Sequence, residues 1–200
     1  MVFLQNPPDY SQLVDQFAWE KTYEEESARR RKEEPVLAFA SNVSKTMRRN
    51  LQKRERIEKV VHKVLSRIVK EGVLDDGVSM VDVGCGTGEK LVRISSFILE
   101  QQGVAVRPLG VEISAQLAKE TNERLVALGG RCIPSNAVEG VESLEDASVD
   151  LVIFCSYLEH EVEPMAVLRA VSRKLRKGGY VIIKVPNYGC WNRHFRQKRW

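Results

Sequence analysis

Val81-Asp82-Val83-Gly84-Cys85-Gly86-Thr87-Gly88-Glu89 is the stretch on which the fold of this chain turns. An apolar run over 80–83 breaks into glycines at alternate positions, and behind them residues 89–101 read as a helix. Glycines at 84, 86 and 88 let the backbone turn sharply and let a ligand approach it without Cβ interference. The helix opening at Glu89 points unpaired N–H groups at whatever occupies that turn.

Downstream the same texture repeats. Apolar runs at 109–113, 131–133, 151–154 and 181–185 read as strands, and the spacings at 114–128 and 165–176 read as helices. The connection over 137–147 is too short and irregular to assign. Near-continuous apolar strands separated by helices predict an α/β fold, a parallel sheet covered on both faces and joined by right-handed crossovers. Upstream, residues 1–75 read as a charged helical extension, and 76–200 as the ligand-binding domain. Glu24-Glu25-Glu26 stands one turn before Arg29-Arg30-Arg31-Lys32, a spacing that suits i,i+4 ion pairs, and Pro35 is expected to end that helix. A second helix is expected over 51–70, where Ile57, Val60, Val61, Val64, Leu65, Ile68 and Val69 recur at helical spacing. Gly72 and the Asp75-Asp76-Gly77 turn close the region.

Composition narrows the class. With 200 residues, 43% of them hydrophobic, and only 13 Gly and 7 Pro, the chain is neither largely disordered nor collagen-like. No apolar run approaches the ~18 residues of a membrane span. Met1-Val-Phe-Leu-Gln-Asn-Pro-Pro-Asp9 lacks the basic start and apolar core of a secretory leader, so a soluble cytoplasmic protein is expected. Cys85, Cys132, Cys155 and Cys190 are widely spaced and form no C-x-x-C pair, which points to buried thiols rather than disulfides or a metal site. The net charge of +4 conceals an asymmetry: no acidic residue follows Glu163, whereas ten basic ones do, leaving −6 before and +10 after. Such a terminus suits a phosphate-bearing partner, or is simply a solvated face.

The ligand of the glycine loop follows from charge. A dinucleotide fingerprint would carry Gly or Ala at position 89, but Glu89 stands there, and Asp82 lies within the strand just before the loop. No basic residue from 80 to 89 offsets these carboxylates, which would repel a pyrophosphate and attract an ammonium or sulfonium. Glu112, ending the second strand 24 residues after Gly88, suits a pair of ribose hydroxyls. An adenosine bearing a cationic tail and no phosphate, S-adenosylmethionine, is the better match.

At these residues the sequence resembles the class I S-adenosylmethionine-dependent methyltransferases. Asp82 to Gly88 resembles their first motif, and Gly110-Val111-Glu112 their ribose-binding acidic position. Ser135-Asn136-Ala137 resembles the adenine-contacting segment, with Asn136 where Asp is more usual. Leu158-Glu159-His160 follows the fourth strand, and Leu175 to Gly179 precedes the fifth. The order, over about 76–190, is similar to the subgroup that includes ubiquinone- and menaquinone-pathway enzymes acting on lipids, sugars and other small molecules. It implies a Rossmann-like sheet and a cofactor held by Asp82, Gly84, Cys85, Gly86, Gly88, Glu112, Ile113, Asn136, Ala137 and Cys155. It also implies two further strands after the fifth, one of them antiparallel; with the sequence stopping at Trp200, the expectation is either a fragment of a longer protein or a protein without those strands.

Methyl transfer to an oxygen needs a base, and His160, near neutral pKa and at the carboxyl end of a central strand, is the candidate, with Glu159 to orient it or touch substrate. Tyr157 is a candidate pocket wall. Phe17-Ala18-Trp19 and Tyr23 suit a lid, or packing of the extension onto the domain. Trp191, Phe195 and Trp200 interleave with Arg193, Arg196, Lys198 and Arg199, a pattern that suits RNA. The acidic Leu158-Glu159-His160 segment, in place of an Asn/Asp-Pro-Pro-Tyr acceptor motif, favours a small-molecule acceptor instead. The expected activity is methyl transfer to such an acceptor. The alternatives are a non-catalytic cofactor-binding subunit and an RNA methyltransferase.

Overall fold

Strand and helix alternate as the apolar runs require. The computed structural model describes residues 56–71 and 77–185, together with isolated helical positions at 28, 29, 31–33, 35 and 39. The aromatic cluster at 17–23, Gly72, Asp75, Asp76 and the basic, aromatic segment 186–200 lie outside the described residues. The elements are α1 (Arg56–Glu71), β1 (Val78–Val83), α2 (Glu89–Gln102), β2 (Val106–Glu112), α3 (Ala115–Leu125) with a 3-10 turn (Val126–Leu128), β3 (Arg131–Pro134), α4 (Ala137–Glu142), β4 (Val149–Cys155), α5 (Pro164–Lys174) and β5 (Leu175–Lys184). Pro35 and Phe39 are themselves helical, so Pro35 does not make the expected stop; the fixed φ of proline is compatible with helical backbone.

The five strands form one parallel sheet in the order β3-β2-β1-β4-β5. This is the Rossmann-like arrangement of helices around a parallel sheet. Each face carries its own apolar cluster. On one, Ile57, Val61 and Leu65 of α1 and Leu91, Ile94 and Ile98 of α2 pack with Met80, Leu151 and Ile153. On the other, Val141 of α4 and Val167, Ala170 and Val171 of α5 cover Val81, Val83, Val152 and Phe154. Strands buried on both faces are why β1 and β4 read as near-continuous apolar runs. The stripe of α1 is therefore part of the core of the sheet. Glu58, buried on α1, accepts from Arg93 Nε of α2 at 2.9 Å, and His62 stacks on Phe97 at 4.2 Å, so His62 serves this helix contact.

Candidate active site

The chain leaves β1 to one side of the sheet through β2 and β3, then to the other through β4 and β5, so the order reverses between β1 and β4. A crevice forms at such a reversal outside the carboxyl ends of the strands, and the glycine loop lies there.

Along β1 the side chains alternate. Met80 joins the α1/α2 cluster, Val81 and Val83 the opposite one, and Asp82 turns toward α2. Asp82 is 1% exposed, and its Oδ2 is 3.4 Å from Lys90 Nζ. Its other oxygen, Oδ1, is buried with no hydrogen-bond partner among the described residues. Burial pushes the carboxyl up to about 6, against the opposing charge of Lys90. Sequence positions 80–89 hold no cation, but Lys90, one residue further on, sits over Asp82 and removes part of the repulsion inferred from sequence. Oδ1 still lacks a donor, and a buried acceptor without one is costly.

Gly84, Gly86 and Gly88 all have positive φ, at 70°, 57° and 71°. A Cβ on Gly84 would meet the Tyr157 ring at 2.3 Å, and one on Gly88 would meet Thr121 Cγ2 at 2.6 Å. No atom lies within 4 Å of the corresponding point at Gly86, so the loop presents open space at its centre. The Gly86 N–H donates to Glu112 Oε2 at 2.8 Å, and the Ser114 N–H donates to Oε1 at 3.0 Å. An ionised carboxylate accepts about four hydrogen bonds, so each oxygen of Glu112 keeps capacity for a further donor. Behind the loop Thr121 Oγ1 donates to the Gly86 carbonyl at 2.6 Å, and Arg124 donates to the Thr87 carbonyl.

Asp82, the glycines and Glu112 thus meet in one place. Ile113 and Cys155 are half-buried at the ends of β2 and β4, and Lys184 Nζ is 3.9 Å from Cys155 Sγ. Asn136 and Ala137 follow β3 on the far flank, where the Ser135 N–H donates to the Glu112 carbonyl at 3.1 Å. Asn136 caps α4, its Oδ1 accepting from the Glu139 N–H at 2.9 Å, so part of the capacity of its amide is already spent. Ala137 is buried in the core.

Glu159 and His160 occupy the turn after β4. The side chain of His160 is 62% exposed, and its Nε2 is 4.0 Å from Glu159 Oε1, a loose pair. Glu159 Oε2 is buried with no hydrogen-bond partner among the described residues. Tyr157 donates its hydroxyl to the buried carboxylate of Glu161, whose Oε1 accepts from the Glu163 N–H at 3.1 Å. Burial and the Glu112 charge push the Tyr157 hydroxyl pKa upward, and burial raises that of Glu161. Lys90, Thr121 and Glu161 escape a reading by motif. Thr121 left the clearest signal, a hydroxyl at a core position of a helix that otherwise buries Leu117, Ala118 and Leu125. Among the described residues no group of three or more His, Cys, Asp or Glu is placed to hold a metal ion. No described helix is long and apolar enough to cross a membrane.

Comparison with known proteins agrees with this geometry. Residues 81–183 match the family described as "Methyltransferase domain". The chain is 27% identical over 114 residues to the ubiquinone biosynthesis O-methyltransferase of Leptothrix cholodnii, covering 56% of this chain and 46% of that protein. It is 32% identical over 114 residues to the enzyme of the same name from Idiomarina loihiensis, covering 56% of this chain and 43% of that one. The chain therefore spans somewhat under half the length of these relatives. In fold it is similar to the CurJ carbon methyltransferase, with a TM-score of 0.52 at 17% identity over 63% of this chain and 34% of the other. With the family match running from β1 into β5, over more than half of its length, the chain belongs to the methyltransferase domain family.

Proposed function

We propose that this chain binds S-adenosylmethionine and directs its methyl group to a small-molecule acceptor. One observation carries the reading: at the end of β1 that feeds the glycine loop Asp82 Oδ1 is buried without a donor, and at the centre of the loop the Glu112 carboxylate is bonded to Gly86 with capacity left on both oxygens. Such a site suits a ligand with an ammonium at one end and vicinal hydroxyls further along. Asp82, Gly84, Cys85, Gly86 and Gly88 would hold the amino-acid end, Glu112 and Ile113 the ribose, and Asn136 and Ala137 the adenine, with Cys155 on the wall. The bound cofactor supplies a methyl group already activated by its sulfonium. The protein's part is to align the acceptor and exclude water, which in well-oriented systems is worth ~7–11 kcal/mol. His160 would take the acceptor proton, and Glu159, with its orphaned Oε2, would orient it or touch the acceptor. The relatives named for O-methylation support an oxygen acceptor.

Calorimetry with S-adenosylhomocysteine and NAD in parallel tests the cofactor. Binding of the first and not the second is expected, and the reverse result sinks the reading. Transfer of labelled methyl from S-adenosylmethionine to a panel of hydroxyl-bearing small molecules tests the activity. Cofactor binding without transfer to quinone-related, lipid or sugar acceptors would instead favour a non-catalytic cofactor-binding subunit, and transfer to RNA alone would move the acceptor class.

A further inference from the structure

Two thiols, one of them in the glycine loop itself, meet beneath the site. Cys85, in the glycine loop, and Cys132, on β3, place their sulfurs 3.7 Å apart, and both side chains are buried. They come from segments 47 residues apart. Gly110 of β2 stands between them: a Cβ there would lie 2.5 Å from Cys85 Sγ and 3.0 Å from Cys132 Sγ, so the missing side chain is what lets the sulfurs meet.

We propose that Cys85 and Cys132 form an oxidation site, a thiol pair that a hydroperoxide converts to a disulfide, releasing the cofactor loop from its binding geometry. Either sulfur can donate to the other across this contact, and the shared bond lowers the pKa of Cys132 while it and burial raise that of Cys85, which makes Cys132 the attacking sulfur. The Cys132 thiolate attacks one oxygen of hydrogen peroxide, forming an S–O bond as the O–O bond breaks and hydroxide departs. The Cys85 sulfur then attacks the sulfenic sulfur. The S–O bond breaks, the S–S bond forms, and the oxygen leaves as water with the Cys85 proton. Overall two thiols lose two electrons and two protons, and one peroxide becomes two waters.

Closing the gap to a bond of about 2.05 Å draws Cys85 toward β3. Cys85 directly precedes Gly86, whose N–H is held by Glu112 and whose carbonyl is held by Thr121. The disulfide therefore pulls against both ties.

The test uses the reduced full chain treated with hydrogen peroxide, with and without S-adenosylhomocysteine, then alkylated, digested and analysed by mass spectrometry. A cross-linked 85–132 peptide, two hydrogens lighter than its parts, is expected to form and to be reversed by dithiothreitol. S-adenosylhomocysteine affinity of the oxidised chain is expected to fall by about tenfold or more, as loss of a charge-assisted bond implies. The ligand is expected to slow the cross-link. Cys132→Ser, with Cys132→Ala as a second variant should the first misfold, is expected to keep its affinity after the same treatment. Oxidation of Cys155 with the 85–132 pair still reduced would overturn the proposal. So would a cross-link that leaves affinity unchanged, or an equal loss of affinity in the Cys132 variants.

Discussion

The Glu112 carboxylate accepts the backbone N–H of Gly86 at 2.8 Å, joining the end of β2 to the centre of the glycine loop. The tie gives Glu112 a task before any ligand arrives, because the same group sets the loop and faces the site. Glu112→Gln replaces one acceptor oxygen with an NH2 that confronts a backbone donor, Gly86 or Ser114, and removes the charge. A charge-assisted bond is worth about 1.5–3 kcal/mol, so S-adenosylhomocysteine affinity is expected to fall roughly ten- to a hundredfold. Calorimetry reads the affinity. Backbone amide exchange at Gly86 should accelerate in the free variant, a change that a residue touching only the ribose would not cause.

Asp82 makes the free protein less stable than it need be. Its carboxyl titrates near 6 in the fold because of burial, against about 3.9 unfolded. Between these values the native state holds a proton that the unfolded state has released. This contribution to stability is full below pH 4, is lost as pH rises through 6, and is constant above. Asp82→Asn removes the effect, and at pH 7.5 the free variant is expected to be more stable by on the order of 3 kcal/mol, less whatever Lys90 loses with its partner. At pH 4.5 the advantage should shrink toward zero. Ligand binding should move the other way. An ammonium-bearing ligand prefers the carboxylate, so wild-type affinity should rise from pH 5 to 7, while Asp82→Asn binds weakly throughout. Thermal melts and calorimetry at three pH values check both signs.

Thr121 is fully buried, and its hydroxyl is spent on the Gly86 carbonyl. Thr121→Val keeps the volume, removes the donor and leaves that carbonyl short of a partner. The expected cost is about 1–3 kcal/mol of stability, read from denaturant midpoints, together with weaker S-adenosylhomocysteine binding. Thr121→Ser, which restores the hydroxyl, should recover the affinity.

Ala147 has φ 51°, its N–H donating to the Arg173 carbonyl at 2.9 Å, far from the glycine loop in the sequence. Left-handed backbone costs an alanine about 1–2 kcal/mol, and glycine loses about 0.4–1 kcal/mol of that through unfolded-state entropy. Ala147→Gly is expected to raise the melting temperature by roughly 1–4 °C without changing ligand affinity.

The sequence carried the central part of this architecture because β1 and β4 are buried on both faces, and because the turn from Val83 into α2 needs glycine. Where it failed, the cause was local. α4 is only six residues long, too short for a helical period to show, and it is held by the Asn136 cap. β2 begins at Val106, but Pro108 breaks the apolar run; pairing with β3 starts at Leu109, so that neighbour makes no demand on the missing N–H. β5 begins at Leu175, because a ladder irregularity between Val149 and Leu151 absorbs the Gly178-Gly179 stretch that reads as a turn. At the site, Asp82 and Glu112 were legible from their strand ends. Lys90 was not, since its pairing with Asp82 depends on how α2 lies over β1.

His160 and Glu159 divide by exposure, and the roles proposed for them make separate predictions. His160 stands 62% exposed and only 4.0 Å from Glu159, whereas Glu159 Oε2 is buried without a partner. A base in that position needs an acceptor to close the gap, since catalytic hydrogen bonds often tighten only once substrate is bound. His160→Ala should leave S-adenosylhomocysteine affinity and stability unchanged while lowering kcat by about 10²–10⁴-fold on an oxygen acceptor. The residual rate should rise with pH as the acceptor hydroxyl ionises unaided. Glu159→Gln gives the orphaned position a donor at no loss of volume, so its free form should be no less stable than wild type. If Glu159 orients His160, kcat should fall with KM unchanged; if it touches the acceptor, KM should rise. Steady-state kinetics on a hydroxyl-bearing acceptor that the wild type methylates separate these outcomes. An unchanged kcat in His160→Ala would remove the histidine from the reaction.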